Sequence, residues 1–310
     1  MSKFTRIKYN LIFDKLSFTL PLTMLKRNLV LKRISKEEFR LKYKIRTYKS
    51  HPKRNRYKNN YSFPIDDQNS MKVSMYPINT EHNFIRVEFN PDKLGKVGMI
   101  KARKLLVKLL GIDVTETLYF EASITRIDLS VNLLGLTEQY FIHKDKTNYS
   151  SIQRSLYGEI ESQIAGGNES RVRVTFYNKN LEQLEQGEEA ANLDEDYHRL
   201  EIRLRDLQLT MSQLDSSILE VFNTVSFHRA VFLRDDWFST DFREHVEENG
   251  LNSALHSLGN SNDRRSYLRR LNHYKFEVFS TDNLNFSKPH QMLSFLIQKR
   301  NRVELLANVS

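Results

Sequence analysis

Arg171-Val-Arg-Val-Thr-Phe-Tyr177 alternates without a break. Val172, Val174 and Phe176 point one way, and Arg171, Arg173, Thr175 and Tyr177 the other, as the two-residue period of a strand requires. Two further stretches repeat the pattern. In Arg126-Ile-Asp-Leu-Ser-Val-Asn132, the residues Ile127, Leu129 and Val131 oppose Arg126, Asp128, Ser130 and Asn132. In Arg199-Leu-Glu-Ile-Arg-Leu-Arg205, the residues Leu200, Ile202 and Leu204 oppose Arg199, Glu201, Arg203 and Arg205. Three half-polar strands predict an antiparallel sheet with one apolar face on helices and one polar face outward. The expected fold class is α+β: a curved antiparallel core packed on helices, with a mainly helical C-terminal region.

The polar face so assembled carries Asp128 and Glu201, Tyr177 and several arginines, with Lys179 two residues past the tyrosine. Cross-strand Arg–carboxylate pairing on a solvated sheet accounts for any one strand. Together the three strands offer more. Two carboxylates are hard oxygen donors suited to Mg2+ or Mn2+. A phenol with pKa near ~10 becomes a nucleophile when cations such as Arg173 and Lys179 lower that value. Attack at phosphorus would give a phosphotyrosine and free a 3′-hydroxyl.

Elsewhere, strand-like alternation marks Lys15–Leu20, Asn28–Lys32, Phe39–Tyr48, Met71–Tyr76, Phe84–Phe89 and Leu118–Ala122. Helices are expected at Val97–Leu110, with Gly111 as its stop, at Thr137–Lys146 and near Asn180–Glu189. Beyond Gln208 the pattern is mostly helical. Phe84-Ile-Arg-Val-Glu-Phe89 echoes His198-Arg-Leu-Glu-Ile-Arg203, aligning Arg86 and Glu88 with Arg199 and Glu201. Phe13-Asp-Lys-Leu-Ser-Phe-Thr-Leu20 echoes Ile127-Asp-Leu-Ser-Val-Asn-Leu133 more loosely. Two related β-rich halves would explain both, and Glu88 would then be a further candidate metal ligand. The expected organisation is a basic, strand-rich segment 1–62, a catalytic core 63–207 and a helical region 208–310.

The 310 residues carry 48 Lys and Arg against 38 Asp and Glu, a formal charge of +10. A chain this basic points to polyanionic partners. The excess is local: residues 1–60 hold 18 cations and three acids, +15 net, which leaves −5 for the remainder. The excess peaks at Lys42–Lys58, where Lys42, Lys44, Arg46, Lys53, Arg54, Arg56 and Lys58 interleave with Tyr43, Tyr48 and Tyr57. Charge for phosphates with rings for bases suits single-stranded nucleic acid, whereas the plain reading is a solvated face. A second cluster, Arg264, Arg265, Arg269 and Arg270, surrounds Tyr267, Leu268, Leu271 and Tyr274 at helical spacing. It reads equally as a helix laid on a duplex or as an ordinary amphipathic helix. With no cysteine, disulfide scaffolds, thiol catalysis and Cys-ligated metal sites are excluded. No run approaches the ~18–20 apolar residues of a membrane span, so a soluble cytoplasmic protein without a membrane partner is expected.

Arg126-Ile-Asp, then Tyr177-Asn-Lys179, then Arg199-Leu-Glu201 resembles the R-(I/V/F)-D, Y-x-K and R-(L/V)-E series of Rep_trans-type rolling-circle replication initiators. These include initiators of plasmids and of filamentous phages, whose opening is similar to Asp14-Lys-Leu-Ser-Phe-Thr19. The resemblance covers roughly residues 10–210. It implies a nicking-closing endonuclease that cuts one strand at an origin through Tyr177, with Asp128 and Glu201 on the metal and Lys179 as the motif lysine. It implies origin DNA, a host helicase and polymerase, and a homodimer as partners, in the cytoplasm of a bacterial host. The nine histidines include no His-hydrophobe-His pair, so histidine-cluster nickases fit poorly. Alternation puts His198 on the face opposite Glu201. Two other readings share the fold: a non-catalytic DNA-binding protein, and a relaxase for DNA transfer.

Overall fold

The computed structural model describes residues 9–49, 56–79, 84–111, 116–136, 139–144, 149–185, 187, 197–278 and 280–297. In chain order the leading elements are β1 (Tyr9–Pro21), α1 (Met24–Ser35), α2 (Glu37–Lys42), β2 (Arg46–Thr47), β3 (Tyr57–Pro64), β4 (Ser70–Pro77), β5 (Phe84–Phe89), α3 (Pro91–Leu110) and β6 (Ser123–Leu134). There follow β7 (Gln139–His143), β8 (Ser150–Arg154), β9 (Ile160–Ala165), β10 (Val172–Asn178), α4 (Lys179–Glu185) and β11 (Tyr197–Thr210). The last are β12 (Val225–Arg229), α5 (Thr240–Asn249), α6 (Leu251–Ser257), α7 (Ser261–Leu271), β13 (Lys275–Phe276), β14 (Leu284–Asn285) and α8 (Ser287–Ile297). The fold is α+β, built on antiparallel sheet with helices toward the C-terminus.

The chain forms two compact units. The first comprises Ile12–Asp128, Asp206–Asp215 and Ser287–Ser310, and the second Met1–Leu11, Leu129–Arg205 and Ser216–Phe286. In the first unit the strand order is β2-β3-β4-β5-β1-β6. Leu16, Phe18, Leu20, Met71, Val73, Ile85 and Val87 are buried on its apolar face. Helix α3 covers part of that unit's core through Met99, Ala102, Leu105, Leu106 and Leu109, and breaks its helical geometry at Gly95 (φ 56°). In the second unit the order is β6-β11-β10-β9-β8, with a separate sheet β13-β12-β7. Tyr140, Phe232, Phe238, Phe242 and Leu271 form that unit's aromatic-rich core under α5, α6 and α7.

The echo in the sequence is also an echo of topology. Arg86 and Glu88 lie on β5, between β4 and β1, and Arg199 and Glu201 lie on β11, between β10 and β6. In both, an Arg-x-Glu strand sits between two paired neighbours with its acid on the polar side.

Several elements depart from the sequence-based expectation. Asn28–Lys32 and Phe39–Tyr48 were expected as strands, but α1 takes the whole of the first and α2 the start of the second, of which Arg46–Thr47 is strand β2, so the basic N-terminal stretch is not strand-rich throughout. The residues α1 buries, Arg27, Val30 and Ile34, follow a helical stripe, and Thr23 caps it by accepting from the Lys26 N–H at 3.3 Å. Leu118–Ala122 is largely a π-helical turn, Thr117–Glu121, rather than a strand. The expected helix at Thr137–Lys146 contains strand β7. Its Tyr140, Phe141, Ile142 and His143 are all buried, and a short continuous apolar run carries no period that separates helix from strand. Past Gln208, β11 continues to Thr210 and three short strands follow.

The turn into β10 has a stringent requirement. Gly166 sits at φ +92°, and a Cβ there would lie 2.5 Å from the Val172 carbonyl oxygen. Its N–H donates to the Tyr149 carbonyl at 2.8 Å. Gly166→Ala should therefore destabilise the protein by at least about 1–3 kcal/mol, read as a lower urea midpoint. An unchanged midpoint would contradict this account of the turn.

Candidate functional site

Strands β10 and β11 pair antiparallel with Tyr177 opposite Arg199, Thr175 opposite Glu201 and Arg173 opposite Arg203. Opposed residues share a face, so all six lie together, each partly exposed. Val174, Phe176, Leu200 and Ile202 are buried on the other face. The expected alternation is therefore present on both strands of the second unit. His198 belongs to the apolar side: it is buried and its ring stacks on Phe176 at 5.0 Å and 15°.

The cations around Tyr177 have fixed partners. Arg199 donates from Nε to Asn132 Oδ1 at 2.7 Å, which holds it across from the tyrosine. Arg203 reaches Glu201 Oε1 at 3.4 Å. Arg173 donates to Asn168 in the turn before β10. Lys179 opens α4 and pairs with Glu182, one helical turn ahead. The cation directly opposed to Tyr177 is thus Arg199, a residue that the sequence placed on the polar face without giving it a role. Cross-strand register, which no single strand reveals, is the signal that finds it.

In the first unit, the polar face gathers round Glu88. Its carboxylate accepts from Ser17 Oγ at 2.8 Å and Arg86 at 2.9 Å, with Lys15 Nζ at 3.5 Å. Burial pushes this carboxyl up, but Lys15, Arg86, the Ser17 hydroxyl and Arg126 together outweigh it and hold its pKa at about 2. Asp128 is only 3% exposed. Both its oxygens accept from Arg126, two residues back on the same face, at 2.7 and 2.5 Å. Ser130 is fully buried too, so β6 is covered on both faces where the sequence predicted a solvated polar one. A fork-shaped guanidinium that matches the carboxylate is what allows Asp128 to be buried.

These carboxylates suit a hard divalent cation by donor type. Among the described residues no three His, Asp or Glu side chains cluster as a metal-holding group. Magnesium commonly takes one or two carboxylates and completes its shell with water and substrate phosphate, so Asp128 in the first unit and Glu201 in the second each suit such an ion by donor type. Each would have to exchange an arginine contact for it. Glu88 already has three protein partners.

Of the N-terminal cations, Lys42, Lys44, Arg46, Arg56 and Lys58 are exposed around β2 and β3, and Lys53 and Arg54 lie outside the described residues. The interleaved tyrosines are less free than alternating charge and rings suggested. Tyr43 packs on Phe39 at 4.6 Å, and Tyr57 edges Phe84 at 6.3 Å. Tyr48 shares a hydrogen bond with Ser74 and has Lys72 Nζ 5.6 Å from its ring centre. Burial raises the pKa of Tyr48 and Tyr57. On α7, Arg265 and Arg269 are exposed and Arg264 is half-buried. Arg270 instead pairs with Asp235 at 2.6 Å, alongside the Tyr274 hydroxyl at 2.7 Å, and so joins α7 to the segment before α5. Hydrogen bonds from Arg270 and Tyr274 hold the Asp235 carboxyl well below the usual range.

No helix among the described residues is long and apolar enough to cross a membrane. No family model matches the chain, and no curated protein matches it. Among solved structures, a rolling circle replication initiator protein from Geobacillus stearothermophilus is matched at 17% identity and a TM-score of 0.39. That match covers 71% of this chain and 87% of the other.

Glu88 sets an acid limb. Its folded pKa lies below the ordinary value of 4.5. Its stabilisation is therefore complete above pH 4.5 and is lost as pH falls through about 2. Glu88→Gln should cost about 2–3 kcal/mol at neutral pH. Urea titrations at several pH values should show the gap to wild type closing across that window. A gap independent of pH would contradict the assignment.

Proposed function

We propose that the protein is a DNA strand-nicking replication initiator with Tyr177 as nucleophile. The observation that carries the reading is the register of β10 against β11, which sets a tyrosine opposite an anchored arginine and one residue pair from a carboxylate on one accessible polar face. The motifs that resemble rolling-circle initiators fall on β6, on the end of β10 running into α4, and on β11.

The chemistry balances as a transesterification. The Tyr177 phenol oxygen attacks phosphorus, the bond to the 3′-oxygen breaks, and the phenol proton passes to solvent while the departing oxygen takes one up. The product is a 5′-phosphotyrosine link and a 3′-hydroxyl primer, and the reverse reaction rejoins the strand. Arg199 offsets charge that develops at phosphorus. Held by Glu201 or by Asp128, a Mg2+ or Mn2+ ion would polarise a phosphodiester oxygen. The exposed cations Lys42, Lys44, Arg46, Arg56 and Lys58, with Arg265 and Arg269, supply phosphate contacts on the substrate duplex or its opened strand. Origin DNA and the host helicase and polymerase are the partners of this reading.

Incubating the protein with supercoiled DNA that carries its origin and Mg2+ or Mn2+ should give nicked circles. Tyr177→Phe should remove nicking while DNA binding survives, and Arg199→Ala should slow nicking by about a hundredfold. Asp128→Asn should weaken the response to added metal. Normal nicking by Tyr177→Phe would overturn the mechanism. Binding without cleavage under any metal condition would favour a DNA-binding protein that does not cut.

A further inference from the structure

The second unit contains a cavity of about 550 Å³ that lies apart from the Tyr177 face. It is bounded by the end of β7, the stretch Asn223–Phe227 and the segment from Asn272 to Ser280. Phe227 is one wall, and its ring meets Phe176 edge-on at 5.2 Å. Phe176 projects from β10 on the face opposite Tyr177. The cavity therefore sits behind the strand that carries the nucleophile.

Its lining has three kinds of chemistry. Lys144 and Lys275 both line it and are exposed, and neither has an ion-pair partner among the described residues. Against these two cations stands one carboxylate, Glu277, so the lining is net positive and favours an anion. Asn223 and Asn272 add side-chain amides that donate and accept in one plane. Half-buried Phe276 supplies aromatic surface, while Phe222 and Phe227 are buried beneath the lining. The Phe276 ring is held by Phe227 at 6.3 Å and by the Arg229 guanidinium at 5.7 Å.

We propose that this cavity binds a nucleoside phosphate. The volume lies within the range of small-ligand sites, about 300–1,000 Å³. Phosphate goes to Lys144 and Lys275, the base lies against the Phe276 ring with its edge read by Asn223 and Asn272, and Glu277 accepts from a sugar hydroxyl. Inorganic phosphate would leave the amides and rings unused, and an apolar ligand would leave two lysines without a partner. The same chemistry could arrive as a free nucleotide or as the phosphorylated end of a strand. The proposal does not depend on the role of Tyr177.

Isothermal titration of the full chain separates these cases. The probes are ATP, dAMP, adenosine, inorganic phosphate and a 5′-phosphorylated thymidine trinucleotide. At least one phosphorylated nucleotide should bind one-to-one, and more tightly than adenosine or inorganic phosphate by about tenfold or more. Tighter binding of ATP identifies a free nucleotide as the source, and tighter binding of the trinucleotide identifies a strand end. Lys144→Glu/Lys275→Glu should weaken that binding at least about tenfold, and Asn272→Ala should weaken it while leaving the phosphate requirement intact. Tyr177→Phe should bind as wild type does. Both lysines are exposed, so the charge reversals should fold, which thermal melting would verify; Lys275→Ala alone serves if the double variant does not. No binding at about 1 mM, or equal binding by wild type and the lysine variants, would overturn the proposal.

Discussion

The register between β10 and β11 is the constraint on which the rest of the site depends. Side chains alternate with a period of two, so a slip of one residue on either strand would bury Tyr177 or Glu201 and expose Phe176 or Leu200. The observed pairing, Thr175 with Glu201 and Tyr177 with Arg199, avoids both costs. Burial of Val174, Phe176, Leu200 and Ile202 specifies the pairing, and the polar constellation follows from it. The polar face is thus set by the apolar face. Gly166, with no room for a Cβ, closes the turn that delivers β10 into that register.

Charge on these faces is matched residue by residue. Asp128 is clamped by Arg126, Glu201 is met by Arg203, and Glu88 is held by Lys15, Arg86 and Ser17. A buried carboxylate is tolerable only when such partners offset its lost hydration. The overall excess of +10 therefore says little about the strands. What governs them is which cation faces which acid. A divalent ion at Asp128 or Glu201 would act by exchange with an arginine, so affinity for the ion and release of Arg126 or Arg203 would be linked quantities.

Much of the fold was legible where alternation was unbroken. The strands containing Arg171–Tyr177 and Arg199–Arg205 could be read residue by residue, faces included, and His198 was rightly placed opposite Glu201 because parity alone decides it. The echo of Arg86 and Glu88 in Arg199 and Glu201 foreshadowed the matching strand positions in the two units. Reading failed where periodicity is ambiguous. Asn28–Lys32 has too few residues to separate a helical stripe from a strand, and Tyr140–Ile142 is apolar throughout. It also failed where tertiary packing decides. Nothing local shows that β6 is covered on both faces or that Arg270 is tied to Asp235. The position of Arg199 opposite Tyr177 lies in a pairing between residues 22 apart in sequence.

The central claim is that Tyr177 forms a covalent bond to DNA, and mass spectrometry of the trapped adduct tests it most directly. The protein would be reacted with an origin-strand oligonucleotide in Mg2+ or Mn2+, digested with nuclease and protease, and its peptides sequenced. The account predicts a deoxynucleotide 5′-phosphate mass on the peptide that contains Tyr177 and on that residue. The same adduct on another tyrosine, or cleaved DNA with unmodified Tyr177 and no covalent product, would contradict it.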